Sequence, residues 1–188
     1  MALALPLQTQ QLLLRKLKPT DLPQLARYRD KPDVARFQSW EHYTLQDAEK
    51  LYAQQHSLAF NSDETWYQLA VERREDGALI GDIGIHFFDE GRQAELGMTF
   101  DVGYQKQGYA SEAMRALIAV LFNDFAKHRL TAVVDTRNTR AVNLLEKLGF
   151  RREAHYRQNI FFKGEWGDEY LYALLNSDYC RDCSFEKK

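Results

Sequence analysis

The residues best placed to do binding chemistry lie in one stretch, TFDVGYQKQGYASE at positions 99–112. A strand-like run ends there, a short turn follows, and Ala110, Ala113, Met114, Leu117, Leu121 and Phe125 then recur at helical spacing. The first amides of a helix lack intrahelical acceptors and have the positive end of the dipole behind them, so a helix start takes up phosphate oxygens. Gly108 has no Cβ and lets a bound group approach the main chain. Ala110 and Ser111 are small, and Lys106 adds a positive charge. Many strand-to-helix turns share these features, so the turn taken alone reads as a plain connection. It matches neither G-x-x-x-x-G-K-[ST] nor G-x-G-x-x-G, which weighs against ATP, GTP and dinucleotides.

Those residues need a scaffold, and 188 residues suffice for one domain. The sequence predicts a single domain over 1–188, with a core over about 11–175 and a tail at 176–188. Apolar residues make up 45% and charged residues 28%, the mix of a globular protein. A net charge of −2 supplies no basic field for nucleic acid or an anionic membrane. The longest apolar stretch, 116–122, falls far short of the roughly 20 residues of a membrane span. Positions 1–7 are apolar without a preceding basic segment and read as a strap over the core rather than a signal. Cys180 and Cys183 form a C-x-x-C in the tail with no further metal ligands nearby, so no metal site is expected. Sparse cysteine fits a reducing, cytoplasmic setting.

Periodicity orders the elements. A strand over 12–17 leads to a helix from Asp21, which Lys31-Pro32-Asp33 breaks, and a second helix runs over 45–60 with Thr44 as N-cap. Three strands follow, at 66–73, 78–88 and 93–102, joined by turns at Glu75-Asp76-Gly77 and Asp89-Glu90-Gly91. In the third, Leu96, Met98, Phe100 and Val102 share one face, and Glu95, Gly97, Thr99 and Asp101 the other. A helix over 108–126, a strand over 130–135, a helix from Asn138 to Gly149 and a closing hairpin over 150–175 complete the chain. Strand, helix and strand between 93 and 135 imply one parallel pair in a mostly antiparallel α+β sheet.

Two segments carry a resemblance. QKQGYA at 105–110 is similar to the Q/R-x-x-G-x-G/A motif of the GNAT superfamily of acetyl-CoA-dependent N-acetyltransferases, and NTRAVNLLEKLGF at 138–150 to its second signature. The order of elements resembles that fold over about 11–175. AELG at 94–97 and GEWGDEYLY at 164–172 resemble the branch that acetylates the N-termini of ribosomal proteins. The resemblance implies a sheet of six to seven strands with one splayed parallel pair and about four helices, acetyl-CoA as cosubstrate, an amine acceptor (a protein N-terminus or a small amine) and a homodimer.

It also implies site residues. Diphosphate rests on the amides of Gln107, Gly108, Ala110 and Ser111, within a loop that includes Gln105, Lys106 and Tyr109. Pantetheine runs along the strand ending at Phe100, and an amide near Met98 or Phe100 meets the thioester oxygen, a contact worth roughly 3 kcal/mol as that oxygen becomes anionic. Asn138 reaches the arm from the other side while capping its helix. Glu95 is the expected base and Tyr156 the expected acid, against the plainer readings of a salt-bridged glutamate and a half-buried core tyrosine. Ala141 and Ile160 depart from the ribosomal branch, where serine and an acid are common. Trp40, His86 and Asp168 are the candidate acceptor contacts, against the plainer readings of a core aromatic, a satisfied histidine and an acid that pins the last turn, with Tyr43, Trp66 and Trp166 as weaker candidates. The acids at 82, 89, 90, 95 and 101 cluster around the middle strands, which allows a cation. A non-catalytic CoA-binding module and a protein-interaction domain are the competing readings.

Overall fold

Alternation along the strands builds this fold. Tyr67, Leu69 and Val71, then Ile83, Ile85 and Phe87, then Ala94, Leu96 and Phe100, then Leu130, Ala132 and Val134 all enter one buried core with Ala113, Met114, Leu117 and Leu121. The computed structural model describes residues 5–179. Its strands are β1 (Leu7–Gln8), β2 (Leu12–Lys16), β3 (Thr65–Arg73), β4 (Leu79–Phe88), β5 (Gln93–Phe100), β6 (Arg129–Asp135), β7 (Arg151–Phe162) and β8 (Glu165–Leu175). Its α-helices are α1 (Leu22–Arg29), α2 (Pro32–Ala35), α3 (Leu45–Gln55), α4 (Tyr109–Asn123) and α5 (Thr139–Lys147), with 3-10 turns at Pro19–Asp21 and Val102–Tyr104.

One eight-stranded sheet runs β1-β2-β3-β4-β5-β6-β8-β7. It exceeds the expected six to seven strands because β1, too short to show a period, pairs Leu7 with Leu14 and Gln8 with Leu13. A second core of Leu22, Leu25, Tyr28, Ala48, Ala70 and Leu79 lies under α1 and α3 on the opposite face. Thr44 caps α3 as expected, accepting from the Asp47 amide at 3.2 Å while its own amide donates to Asp47. Asp21 does not cap α1 and instead accepts from the Lys18 amide and the Arg15 guanidinium. Pro32 opens α2 rather than merely ending α1, since a proline at the first helical position loses no hydrogen bond.

The feature that positions the site is the single parallel pair. β5 and β6 match only at Gln93/Arg129, Ala94/Leu130 and Glu95/Thr131. Beyond Glu95 the strands part, β5 staying with β4 and β6 with β8. The splay expected between them is present, and it starts at Glu95.

Candidate active site

The parting of β5 and β6 opens a cavity of about 580 Å³. Its walls are the last residues of β5, the 104–108 loop, the starts of α4 and α5, and a segment from Asp33 to Gln38 around α2. Met98, Phe100, Gln105, Lys106, Gly108, Tyr109, Ala110, Ser111 and Asn138 all line it. Gln107 does not, its side chain instead donating to the Gly103 carbonyl at 2.9 Å.

Main-chain donors accumulate here for local reasons. Asp101 accepts from the Gly103 amide at 3.3 Å and so starts the 3-10 turn. Lys106 (φ 63°) and Gly108 (φ 88°) take left-handed conformations that turn the chain into α4. The amides of 107–111 have no partner among the described residues, as expected for a helix start. A Cβ placed on Gly108 would meet nothing within 4 Å, so the residue leaves open space beside those amides. Along β5 the Asp101 amide donates to Ile80; by the antiparallel alternation the amides of Met98 and Phe100 point into the seam.

Side chains set the loop and the charge. Gln105 donates to the Phe100 carbonyl at 2.9 Å and accepts from Arg140 at 2.8 Å, tying the loop to β5 and α5. The Asn138 side-chain oxygen caps α5 through the Ala141 amide at 3.2 Å while the residue faces the cavity. Lys106 and Arg140 line the wall with no carboxylate partner among the described residues; Arg36 stands one helical turn from Asp33 and acts on Asp135, and Arg137 is matched by Asp135 and Glu165. A cavity with excess positive charge inside a protein of net charge −2 favours an anionic ligand.

The proposed catalytic pair separates. Glu95 is half-buried at the root of the seam, in register with His86, and has no hydrogen-bond or ion-pair partner among the described residues. Burial raises its pKa, His86 lowers it and Glu169 adds to the rise. Tyr156 is neither a core residue nor a cavity residue. It lies on the edge strand β7 opposite Glu169, 40% exposed, because the sheet order puts β8 between it and β6.

The acceptor candidates scatter as well. His86 stacks between Trp66 (5.2 Å) and Phe88 (5.7 Å) on the same sheet face as Glu95. Trp40 is committed elsewhere: its indole N–H donates to the Arg29 carbonyl at 3.0 Å, and Tyr43 packs 5.1 Å from it with the Arg29 guanidinium over both rings. Asp168 accepts from the Gln158 amide at 2.8 Å and pairs with His155 at 2.9 Å, which pins the bulge in β7. Trp166 is exposed against Phe161. The α2 wall and the cations Arg36 and Arg140 escape sequence reasoning, although two arginines flanking the Asn138 helix start are a visible signal.

Residues 11–151 match the model of the acetyltransferase (GNAT) domain. The chain belongs to that family and is an N-acetyltransferase of the GNAT type. An acetyltransferase of the GNAT family from Bacillus anthracis superposes with a TM-score of 0.82 at 28% identity, covering 90% of this chain and 98% of that one. The ribosomal protein uS5-alanine N-acetyltransferase of Escherichia coli is 31% identical over 84 residues, 45% of this chain and 43% of its own length. The spermidine N-acetyltransferase of Vibrio cholerae, in a structure with CoA and spermine, shares the fold at TM-score 0.79 and 23% identity over 92% and 99% of the two chains. Among the described residues no helix is long and apolar enough to cross a membrane, and no cluster of potential metal ligands occurs.

Proposed function

We propose that the seam cavity binds acetyl-CoA and that the chain transfers its acetyl group to a primary amine by direct attack in a ternary complex. One observation carries this reading: among the described residues, five consecutive amides without partners and the cations Lys106 and Arg140, which no carboxylate engages, converge where two parallel strands part. The diphosphate rests on the amides of 107–111, with Lys106 and Arg140 beside it. The pantetheine amide groups pair with the seam edge of β5, and the side-chain amide of Asn138 meets the arm across the cavity. The Met98 or Phe100 amide donates to the thioester oxygen, and its hydrogen bond strengthens as that oxygen gains charge.

Attack requires a neutral amine. Glu95, held near the seam without a competing partner, takes the proton directly or through water. The nitrogen bonds to the acyl carbon and sheds its second proton to water, the carbon–sulfur bond breaks, and sulfur leaves as thiolate. With Tyr156 outside the cavity, that thiolate takes its proton from solvent; a thiol pKa near 8.5 makes it a competent leaving group.

The test pairs binding with turnover. CoA at 100 times its Kd raises stability by about 2.7 kcal/mol, read as a thermal shift, and acetyl-CoA with amines releases free thiol. Gly108→Ala, which puts a Cβ on a left-handed residue facing the bound diphosphate, weakens CoA by about 10-fold, or 1.4 kcal/mol. Thermal shift without thiol release would instead favour a CoA-binding module that lacks turnover.

A further inference from the structure

The face of the sheet that carries Glu95 continues beyond the cavity as a shallow trough. Thr99 lines the cavity, and Gly97 and Glu95 follow it on the same face of β5, each about 6.8 Å from the next. Gly97 pairs with Gly84 of β4. A Cβ on Gly97 would meet nothing within 4 Å, whereas one on Gly84 would touch the Trp66 ring at 3.2 Å. The floor at Gly97 is therefore bare, and the Trp66 indole, 46% exposed, forms its wall with His86 and Phe88 stacked behind. On the far side the same face presents Thr131 and the exposed Val133 of β6.

Charge on this face is sparse. Asp82 is taken by Tyr28, Arg29 and Gln68, Asp101 by Lys31, Asp89 by Arg92, and Asp135 by Arg137. Glu169, two strands from Glu95, accepts from the Asn159 side chain at 2.6 Å. Asp33, on the cavity wall, stands one helical turn from Arg36. Among the described residues Glu95 is the one carboxylate at the trough that no hydrogen bond or ion pair engages, and Glu169, which acts on it from two strands away, is engaged only by the neutral Asn159 amide. A polycation needs several such carboxylates, since each buried ammonium left unpaired costs several kcal/mol. A single ammonium needs one, with apolar surface for the carbon attached to it.

Resting on the transferase reading of the cavity, we infer that the acceptor is a monoamine with an apolar skeleton, its nitrogen at Glu95 and its adjoining carbons on the Gly97 floor against Trp66. The probes are phenethylamine, a lysine-free tetrapeptide amide beginning with alanine, and spermidine, each assayed with acetyl-CoA. At least one monoamine is expected to exceed spermidine by 10-fold or more in kcat/KM. Gly97→Val fills the floor and lowers kcat/KM for that monoamine at least 10-fold while the Kd for CoA stays within 2-fold, which also reports that the variant is folded. Trp66→Ala removes an exposed ring and raises KM for the amine several-fold with kcat little changed. Spermidine preferred over both monoamines, or Gly97→Val and Trp66→Ala both indistinguishable from the parent, overturns the inference and leaves acetyl transfer standing. No thiol release with any amine, although CoA binds, removes both.

Discussion

Asp82 and Glu95 are carboxylates on one face of neighbouring strands, and their surroundings are opposite. Asp82 is 1% exposed and receives hydrogen bonds from the Tyr28 hydroxyl, the Arg29 guanidinium and the Gln68 amide. Arg29 in turn lies over the Trp40 and Tyr43 rings, 4.8 Å from each. Glu95 is half-buried beside a widening seam and receives no donor among the described residues. The first arrangement fixes α1 and the 29–43 segment, hence the α2 wall of the cavity, to β4. The second leaves a charge ready for a ligand and at some cost to the fold. Residues on one face of one sheet thus divide into those that hold the site's walls and those left open for the proposed acceptor.

The largest effect is expected from breaking the first member. Asp82→Ala strands the Arg29 charge in a buried position, and removing one partner of such a pair costs about 3–5 kcal/mol. At roughly 2–4 °C per kcal/mol for a chain of this size, the melting temperature falls by about 10 °C. Thermal and urea unfolding measure it. A loss below about 1 kcal/mol would mean that the network is ornamental and that the α2 wall is held by apolar contacts alone.

Changing the second member separates function from stability. Glu95→Gln keeps shape and removes the base, so kcat/KM falls by about 100-fold while CoA affinity is unchanged. The sign for stability is the reverse. Burial raises the pKa of Glu95 above its unfolded value, so the folded state binds the proton more tightly and stability declines as pH rises from the unfolded pKa through the folded one. Above that window the carboxylate is a net cost. Glu95→Gln therefore melts slightly higher than the parent at pH 7 and no higher at pH 3. Equal kcat/KM in parent and variant across pH 6–9 would remove Glu95 from the chemistry, leaving amine deprotonation to solvent.

Legibility in the sequence follows the same division. The 105–110 loop and Asn138 could be read because local rules govern them: a glycine where φ is 88°, a capping side chain, and helix amides that no neighbour can reach. The three-stranded meander was equally plain, since strict alternation and two turns fix it. What stayed hidden depends on contacts distant in sequence. Tyr156 sits twelve residues before Asp168, yet only the order β6-β8-β7 shows that β7 is the edge. Trp40 reads as an acceptor aromatic until Arg29, eleven residues earlier, takes its N–H and its ring face. The acids at 82 and 101 suggest a cation site from proximity alone, and their partners Arg29 and Lys31 come from other elements. β1 was missed because two residues carry no period.

The smallest expected effect sharpens the comparison by supplying a third carboxylate of known partners. Asp168 lies on β8 and bridges the Gln158 amide and His155 across the irregular part of β7. Its pKa is lowered, first by the Gln158 amide and then by His155. The stabilisation is therefore present above the unfolded pKa near 3.9 and fades as pH falls through the folded value. The site is open to solvent, so water and salt screen these contacts. Asp168→Asn should leave kcat/KM for any amine within 2-fold of the parent and lower the melting temperature at pH 7 by less than Asp82→Ala does, with the difference shrinking toward pH 3. The Gln158 amide, freed of its anchor, should exchange its hydrogen faster, as seen by hydrogen-exchange measurements on the β7–β8 hairpin. A large rise in KM for the amine with the hairpin's exchange unchanged would give Asp168 an acceptor role instead, and would place part of the binding surface on the hairpin rather than over Gly97.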